Sequence, residues 1–276
     1  MEVGTSEHGR GHESEEEYPM ATTTQHAPGT FSWPELATTD PDGAKRFYTA
    51  LFGWTYEDND MGSDGVYTML KLRGEAVGAL YKKRAEQGGM PPCWGSYVTV
   101  ENADQAAAKA KGLGAKIMME PFDVMDVGRM AVIADPQGAV FSLWQAKKHI
   151  GATVLDEDGA LSWTELMTTD SAAAEKFYTG LFGWKSEPMP MGPGMTYTVF
   201  RRGAAAAGGM MQITPEMGPM PPNWGVYFQV ADCDASVAKA TGMGAKIVVP
   251  AQDVPNVGRF AILTDPQGAH FAIIKQ

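Results

Sequence analysis

Residues 31–54, FSWPELATTDPDGAKRFYTALFGW, decide the fold, because residues 161–184 repeat them as LSWTELMTTDSAAAEKFYTGLFGW. The offset from Trp33 to Trp163 is 130 residues, and it stays constant through the rest of the two copies. A gapless repeat of this length indicates a duplicated domain. The sequence therefore predicts two copies of one folding unit, and the differences between the copies become informative.

Within each copy, the pattern predicts a strand, a helix and three strands, followed by the same order once more. In the first copy, Asp40 is a suitable N-cap for the first helix and Gly53 is a suitable end for it, with apolar residues at helical spacing between them. The last two strands are joined by the tight turn DPQG at residues 135–138. Four such strand–helix–strand groups are expected in the whole chain.

The predicted domain boundaries follow from this repeat. Residues 1–29 are acidic and aperiodic, and we expect a disordered tail there. The first domain is expected at residues 30–145, the linker at residues 146–160 and the second domain at residues 161–276. Three histidines lie in the tail, and scattered solvated side chains are favoured over a metal-binding role for them: His8, His12 and His26.

Length, charge and cysteine content limit the function classes. The 276 residues are enough for two ordinary cores, and no apolar run approaches the ~18 residues of a membrane span. We find no signal peptide, because residues 1–18 contain no apolar segment. The net charge of −11 disfavours nucleic acid and anionic membranes as partners. Cys93 and Cys233 lie at non-equivalent positions of the two copies, so we expect a reducing, cytoplasmic environment. A homodimer stays open, since the sequence does not determine the oligomeric state.

The duplicated motifs TTD at 38–40, FY at 47–48, LFGW at 51–54 and DPQG at 135–138 resemble the vicinal oxygen chelate (VOC) superfamily. This superfamily includes glyoxalases, bleomycin-resistance proteins and extradiol dioxygenases. With HIGAT at 149–153, the chain is similar to a two-domain subgroup that holds a mycobacterial glyoxalase-like antigen and actinobacterial proteins called hydroxylases. The resemblance implies an α+β fold of tandem VOC domains. Each domain would contain two βαβββ modules that form a curved, partly open mixed β-barrel.

The family's usual chemistry uses a divalent metal ion, held by side chains of the first, fourth, fifth and eighth strands. The corresponding positions of the first, fifth and eighth strands hold Trp33 and Trp163, Gly95 and Gly225, and Ser142 and Ala272. The fourth strand offers no carboxylate except Glu75 at its edge. A catalytic metal needs about three N, O or S ligands. The resemblance therefore predicts no metal and no other cofactor, while a shifted metal site that uses Glu35, Glu165 or His270 stays an open alternative.

Strand alternation predicts which side chains share the inner face of each curved sheet. This face is expected to be aromatic and apolar with a few polar groups, as in most small-molecule sites. Several methionines would add adaptable contacts. The candidate ligand-binding residues are Trp33, Tyr97, Trp144, Trp163, Met167, Tyr227, Gln229 and His270.

Three residues are candidates for acid–base chemistry. Glu35 and Glu165 would lie on an apolar floor that raises a carboxyl pKa, although structural ion pairs with Arg129 and Arg259 are favoured, since all four residues recur between the copies. His270 has no counterpart in the first copy, so it is the strongest single candidate. The alternatives are a structural strand histidine at this position and core-filling roles for the tryptophans and tyrosines.

Two function hypotheses follow. The favoured one is a metal-free binding protein for a planar, mostly apolar small molecule, acting in sequestration, resistance or secondary metabolism. The alternative is a glyoxalase-like lyase or isomerase, or another VOC enzyme, that uses Glu165 and His270 or an atypical metal site. A structural partner protein without an open cavity is a third, weaker hypothesis.

Overall fold

The computed structural model describes residues 21–84, 89–192 and 195–276, and it contains two similar halves. Repeat 1 consists of β1 (Phe31–Thr38), α1 (Pro41–Phe52), β2 (Thr55–Asp60), β3 (Val66–Leu72), β4 (Glu75–Lys82), β5 (Cys93–Thr99), α2 (Ala103–Gly112), β6 (Lys116–Val124), β7 (Gly128–Ala134) and β8 (Val140–Ala146). Repeat 2 consists of β9 (Leu161–Thr168), α3 (Ser171–Phe182), β10 (Lys185–Gly192), β11 (Met195–Arg202), β12 (Ala205–Gln212), β13 (Asn223–Gln229), α4 (Cys233–Gly242), β14 (Lys246–Val254), β15 (Gly258–Thr264) and β16 (His270–Lys275).

Each repeat forms one eight-stranded mixed sheet. The strand order is β2-β3-β4-β1-β5-β8-β7-β6 in repeat 1, and repeat 2 has the equivalent order β10-β11-β12-β9-β13-β16-β15-β14. Strand β1 is parallel to β4 and antiparallel to β5, and β5 is parallel to β8. Two βαβββ modules therefore join through the β1–β5 pair, and the predicted tandem VOC fold is confirmed.

The helices begin and end for the reasons that the sequence indicates. The Asp40 side chain accepts a 3.0 Å hydrogen bond from the Gly43 amide, which satisfies one of the free N–H groups at the start of α1. At the other end, Gly53 adopts a φ of 72°, a left-handed conformation that costs glycine little. Asp170 and Gly183 play the same parts at α3.

The main cores cross between the repeats. Helix α1 and the outer face of β1–β4 pack with α4 and the outer face of β13–β16 in one continuous apolar cluster. A second cluster joins α2 and the other half of sheet 1 to α3 and the first half of sheet 2. Tyr48 illustrates this packing, because its hydroxyl donates a 2.9 Å hydrogen bond to Asp265 of repeat 2. The repeats are thus two halves of one packed body.

The start of the described chain packs on the linker. The Thr23 amide donates to Thr153 O at 2.9 Å, and the Gly29 amide donates to Thr99 O at 2.8 Å. His26 is only 7% exposed and lies 2.7 Å from Ala152 O. These contacts correct the expectation of disorder for residues 21–29 and of a solvated His26, because the linker offers backbone partners that the composition does not reveal. Residues 1–20, with His8 and His12, lie outside the described residues.

The described helices are short, with at most 12 residues in α1 and α3. None of those described is both long and apolar enough to cross a membrane.

Candidate functional site

The inner face of sheet 1 carries a buried carboxylate that is held by aromatic side chains. The hydroxyls of Tyr67 and Tyr97 donate to Oε1 and Oε2 of Glu35, both at 2.7 Å. Trp33 Nε1 donates to the Tyr67 hydroxyl at 3.2 Å. Strands β1, β3 and β5 supply these four residues, which we call the tetrad of repeat 1. Every oxygen of the carboxylate therefore has a phenol donor.

Repeat 2 contains the same arrangement at the same offset. The Tyr227 hydroxyl donates to Glu165 Oε1 at 2.9 Å, and Tyr197 is also hydrogen-bonded to Glu165. Trp163 Nε1 donates to the Tyr197 hydroxyl at 2.8 Å. Gly209 permits this packing, because an added Cβ would overlap the Tyr197 hydroxyl and lie 3.0 Å from the Trp163 nitrogen. The four side chains form the tetrad of repeat 2.

Burial dominates the electrostatics of both tetrads. Desolvation raises the pKa of Glu35 and of Glu165, and the tyrosine hydrogen bonds partly oppose the rise because they stabilise the charged carboxylate. Burial and the nearby carboxylate together raise the pKa of Tyr97 and Tyr227 well above the ordinary range. The phenols therefore stay protonated at neutral pH and act as hydrogen-bond donors to the carboxylates.

The side chains at the family's metal positions do not fit a metal ion. Trp33 and Gly95 offer no ligating side-chain atom, and Ser142 offers only a hydroxyl. Tyr97 lies opposite both Trp33 and Ser142 on the neighbouring strands. Glu75 is engaged by the Thr153 hydroxyl at 2.7 Å. Within residues 21–84, 89–192 and 195–276, no group of three or more His, Cys, Asp or Glu side chains is placed to hold a metal ion. We therefore derive no step through a metal.

The two tetrads differ in what covers them. In repeat 1, the ring of His149 from the linker lies edge-on to Trp33, with centroids 4.6 Å apart, and Trp33 is 3% exposed. Trp144 belongs to the same cluster and donates from Nε1 to His149 O at 2.9 Å. In repeat 2, Trp163 is only half-buried and packs beside Tyr227. The inner face is thus more open in repeat 2.

The other predicted site residues lie at the edges of this arrangement. Met167 and Gln229 are half-buried near the ends of β9 and β13. His270 is exposed at the start of β16, and its ring nitrogen Nδ1 lies 3.0 Å from Thr264 Oγ1, so its hydrogen bond does not go to Glu165. A catalytic role for His270 stays a prediction, and the structure does not bring it to the carboxylate.

The predicted ion pairs of the glutamates are wrong. Arg129 instead binds Asp104, with Nε to Oδ2 at 2.7 Å, and Arg259 binds Asp234 in the same way at 2.7 Å. Both pairs lie on the exposed side of the second helix of their repeat. The recurrence of glutamate and arginine in both copies therefore reflects two separate structural roles.

Sequence reasoning missed Tyr67, Tyr197 and His149. The two tyrosines share the offset of 130 residues, and this signal, with strand alternation on β3 and β11, could have found them. His149 lies in the linker, outside the repeated region, and no pattern indicates where a linker side chain packs.

Comparison with known proteins agrees with the fold. The family model of the Glyoxalase/Bleomycin resistance protein/Dioxygenase superfamily matches residues 30–143 and 160–273. "Putative glyoxylase CFP32" of Mycobacterium tuberculosis is 44% identical over 258 residues, which are 93% of this chain and 98% of that protein. "Anthracycline biosynthesis protein DnrV" of Streptomyces peucetius is 35% identical over 265 residues, 91% of this chain and 95% of that protein.

Solved structures show the same architecture at low identity. The Mn(II)-bound glyoxalase from Novosphingobium aromaticivorans aligns with a TM-score of 0.64 and 15% identity, covering 90% of this chain and 82% of that one. The 2,2',3-trihydroxybiphenyl 1,2-dioxygenase from Sphingomonas wittichii aligns with a TM-score of 0.62 and 12% identity, covering 91% of each chain. At this identity the likeness concerns the fold alone.

Proposed function

Since the chain belongs to the Glyoxalase/Bleomycin resistance protein/Dioxygenase superfamily, we propose that repeat 2 binds a planar, mostly apolar small molecule without a metal ion. The role in this proposal is sequestration, resistance or an accessory step in secondary metabolism. The observation that carries it is the half-buried indole of Trp163 at the first metal-ligand position, beside Tyr227 and Phe260. A partly accessible aromatic group of this kind favours stacking by a flat ligand.

Two further observations support an aromatic ligand. Trp163 belongs to a cluster with Ile262, Ala272 and Ile274, so the indole lies in largely apolar surroundings. One relative is named for anthracycline biosynthesis, and anthracyclines carry a planar fused ring system. The tetrad would supply the polar end of the site through its Glu165 and tyrosine oxygens.

Binding of 1,8-dihydroxyanthraquinone, followed by isothermal titration calorimetry and tryptophan fluorescence, tests this proposal. Trp163→Phe should weaken binding at least tenfold, while the matched variant Trp33→Phe in the covered tetrad should change it less than twofold. Both variants lose the same indole hydrogen bond to a tyrosine, so a general effect on the fold would appear in both. Equal effects of the two substitutions, or no binding of any of a broad panel of polycyclic compounds, would reject the proposal.

A second candidate is metal-independent acid–base catalysis, such as an isomerase or a glyoxalase-like lyase. The observation that favours it is the carboxyl group of Glu165 between two tyrosine hydroxyls, where burial raises its pKa and makes it a better proton acceptor than an exposed carboxylate. Glu165→Gln should then abolish turnover and leave ligand affinity within a few-fold. Elemental analysis of protein purified without chelators distinguishes this metal-independent catalysis from metal-dependent catalysis. Stoichiometric Ni, Zn, Fe or Mn would indicate a metalloenzyme with unusual ligands.

A further inference from the structure

A cavity of about 350 Å³ lies where the linker meets both repeats. Its walls come from the start of β1, the linker, the start of β9 and the hairpin between β11 and β12. Trp163 is the residue that this cavity shares with the tetrad of repeat 2. The lining includes Thr30, Asp156, Ser162, Trp163, Arg202 and Ala205, and Gln276 completes it from the end of the chain.

The equivalent place in repeat 1 is filled by the linker. The Ala152 amide donates to Ser32 O at 2.7 Å, and the Thr153 amide donates to Ala76 O at 2.8 Å. Ser32 and Ala76 correspond to Ser162 and to Ala206, both of which line the cavity in repeat 2. The same backbone frame is thus covered by peptide in one repeat and open to a ligand in the other.

Two buried hydroxyls at the cavity have no hydrogen-bond partner. They are Thr30 Oγ1 and Ser162 Oγ, which are inaccessible to solvent and unbonded within the described part of the chain. In repeat 1, the equivalent Ser32 hydroxyl is bonded to Thr99 Oγ1 at 2.7 Å. An unsatisfied buried polar group costs about 1–3 kcal/mol, so among the described residues this part of repeat 2 is less completely hydrogen-bonded than its counterpart in repeat 1.

The cavity of repeat 2 has a positively charged residue, whereas the equivalent region of repeat 1 has a negatively charged one. Arg202 stands where repeat 1 has Leu72, and Ala205 stands where repeat 1 has Glu75. The aliphatic part of the Arg202 side chain packs beside Gly29, because its Cδ would lie 3.4 Å from a Cβ added at that glycine. Among the described residues, Arg202 forms no ion pair, whereas its neighbour Arg201 is bonded to Glu187 at 2.6 Å. Arg202 therefore lines the cavity without an ion pair to a described residue, and the glutamate of repeat 1 has no counterpart there.

We propose that this cavity binds a small organic carboxylate. The Arg202 guanidinium pairs with the carboxylate group, in the planar two-point geometry that arginine favours. Trp163 with Ala205 contacts its apolar body. Asp156 also lines the cavity. Burial raises the pKa of its carboxyl group, so Asp156 is protonated more readily than an exposed aspartate and repels a bound anion less.

This inference goes beyond the proposed function and can be tested separately, although both sites contact Trp163. The proposed aromatic site uses the inner-face tetrad and needs no ligand charge, whereas the cavity uses Arg202 and requires a ligand anion. The Arg202→Leu variant should therefore leave binding of 1,8-dihydroxyanthraquinone within twofold of the unmodified protein, and either proposal can fail alone.

Calorimetric titration of the full chain with acetate, benzoate and 4-phenylbutyrate, and with uncharged 4-phenylbutanamide, tests the carboxylate site. We expect 4-phenylbutyrate to bind with saturation and the amide to bind at least tenfold more weakly. Arg202→Leu introduces the residue that repeat 1 uses at this position, and it should weaken 4-phenylbutyrate binding at least tenfold. Arg201→Leu removes the same charge one residue away and should change the affinity less than twofold. Saturation by none of the three acids, equal binding of acid and amide, or equal effects of the two arginine variants would overturn the proposal.

Discussion

The Tyr178 hydroxyl of repeat 2 donates a 2.9 Å hydrogen bond to Asp135 Oδ2 of repeat 1. Trp224 Nε1 donates to the same hydroxyl oxygen at 2.8 Å, and Tyr178 is fully buried. The exchange is reciprocal, because Tyr48 of repeat 1 binds Asp265 of repeat 2 in the same way. The FY motif of each copy is thus tied to the DPQG turn of the other copy, and the motifs that identify the family also join the two halves.

Tyr178→Phe should lower the free energy of unfolding by about 1–3 kcal/mol for each polar atom that it leaves without this partner, here Asp135 Oδ2 and Trp224 Nε1. Urea unfolding followed by circular dichroism measures the loss. Tyr56→Phe is the control, because it also removes a tyrosine hydroxyl but from a residue that is 49% exposed. It should change the free energy of unfolding by less than about 0.5 kcal/mol. Equal stability of Tyr178→Phe and the unmodified protein would contradict a structural role for this inter-repeat bond.

The buried glutamates should make stability depend on pH in a defined direction. Burial raises the pKa of Glu165 above its ordinary value of 4.5, so between these two values the folded state holds a proton that the unfolded state has lost. The free energy of unfolding therefore falls as the pH rises through this window. Glu165→Gln removes this contribution, and the slope of stability against pH should become less negative above pH 4.5.

Urea unfolding at a series of pH values measures this slope. Glu57→Gln is the control, because the Glu57 side chain is 57% exposed and its ion pair with Lys71 lies at the surface. The control should follow the unmodified protein across the same range. If Glu165→Gln and Glu57→Gln gave the same slope, Glu165 would have no special share in the pH dependence.

Gly209→Ala should disturb the tetrad of repeat 2 alone. An added Cβ overlaps the Tyr197 hydroxyl, so this side chain must move away from Glu165 or the strand must shift, at a cost of about 1–3 kcal/mol. At Gly225, an added Cβ would meet only Glu165 O at 3.8 Å, an ordinary contact, so Gly225→Ala should be tolerated. Thermal unfolding of both variants makes the comparison, and equal melting temperatures would show that the packing at Gly209 is not tight.

The sequence predicts the order of the elements well, because each signal is local. The N-cap Asp40 and the terminal Gly53 act within a few residues and appear as expected. The packing of α1 against repeat 2 was not predictable in the same way. An apolar helix face shows that the helix is buried, but it does not show which sheet covers it.

The candidate site was predictable only where the duplication marks it. Trp33, Glu35 and Tyr97 were expected on one inner face, and the structure brings all three together. Comparison of the two copies favours His270, because Val140 stands at the equivalent position of the first copy. His149 has no such counterpart within the chain, and its contact with Trp33 depends on the path of the linker.

Gly151→Ala should open the covered tetrad of repeat 1. Gly151 has a φ of 110°, which side chains with a Cβ rarely adopt, and a Cβ there would lie 2.5 Å from Ser32 O. We expect the linker to move away from β1 and to carry His149 away from Trp33. In the unmodified protein Trp33 is only 3% exposed. We expect stronger acrylamide quenching of tryptophan emission, and this increase should vanish in a Trp33→Phe background. Gly62→Ala is the control, because Gly62 also has a positive φ of 62° but has open space around it, so it shares the backbone cost without a clash. Equal quenching in the two glycine variants would show that the linker does not shield Trp33.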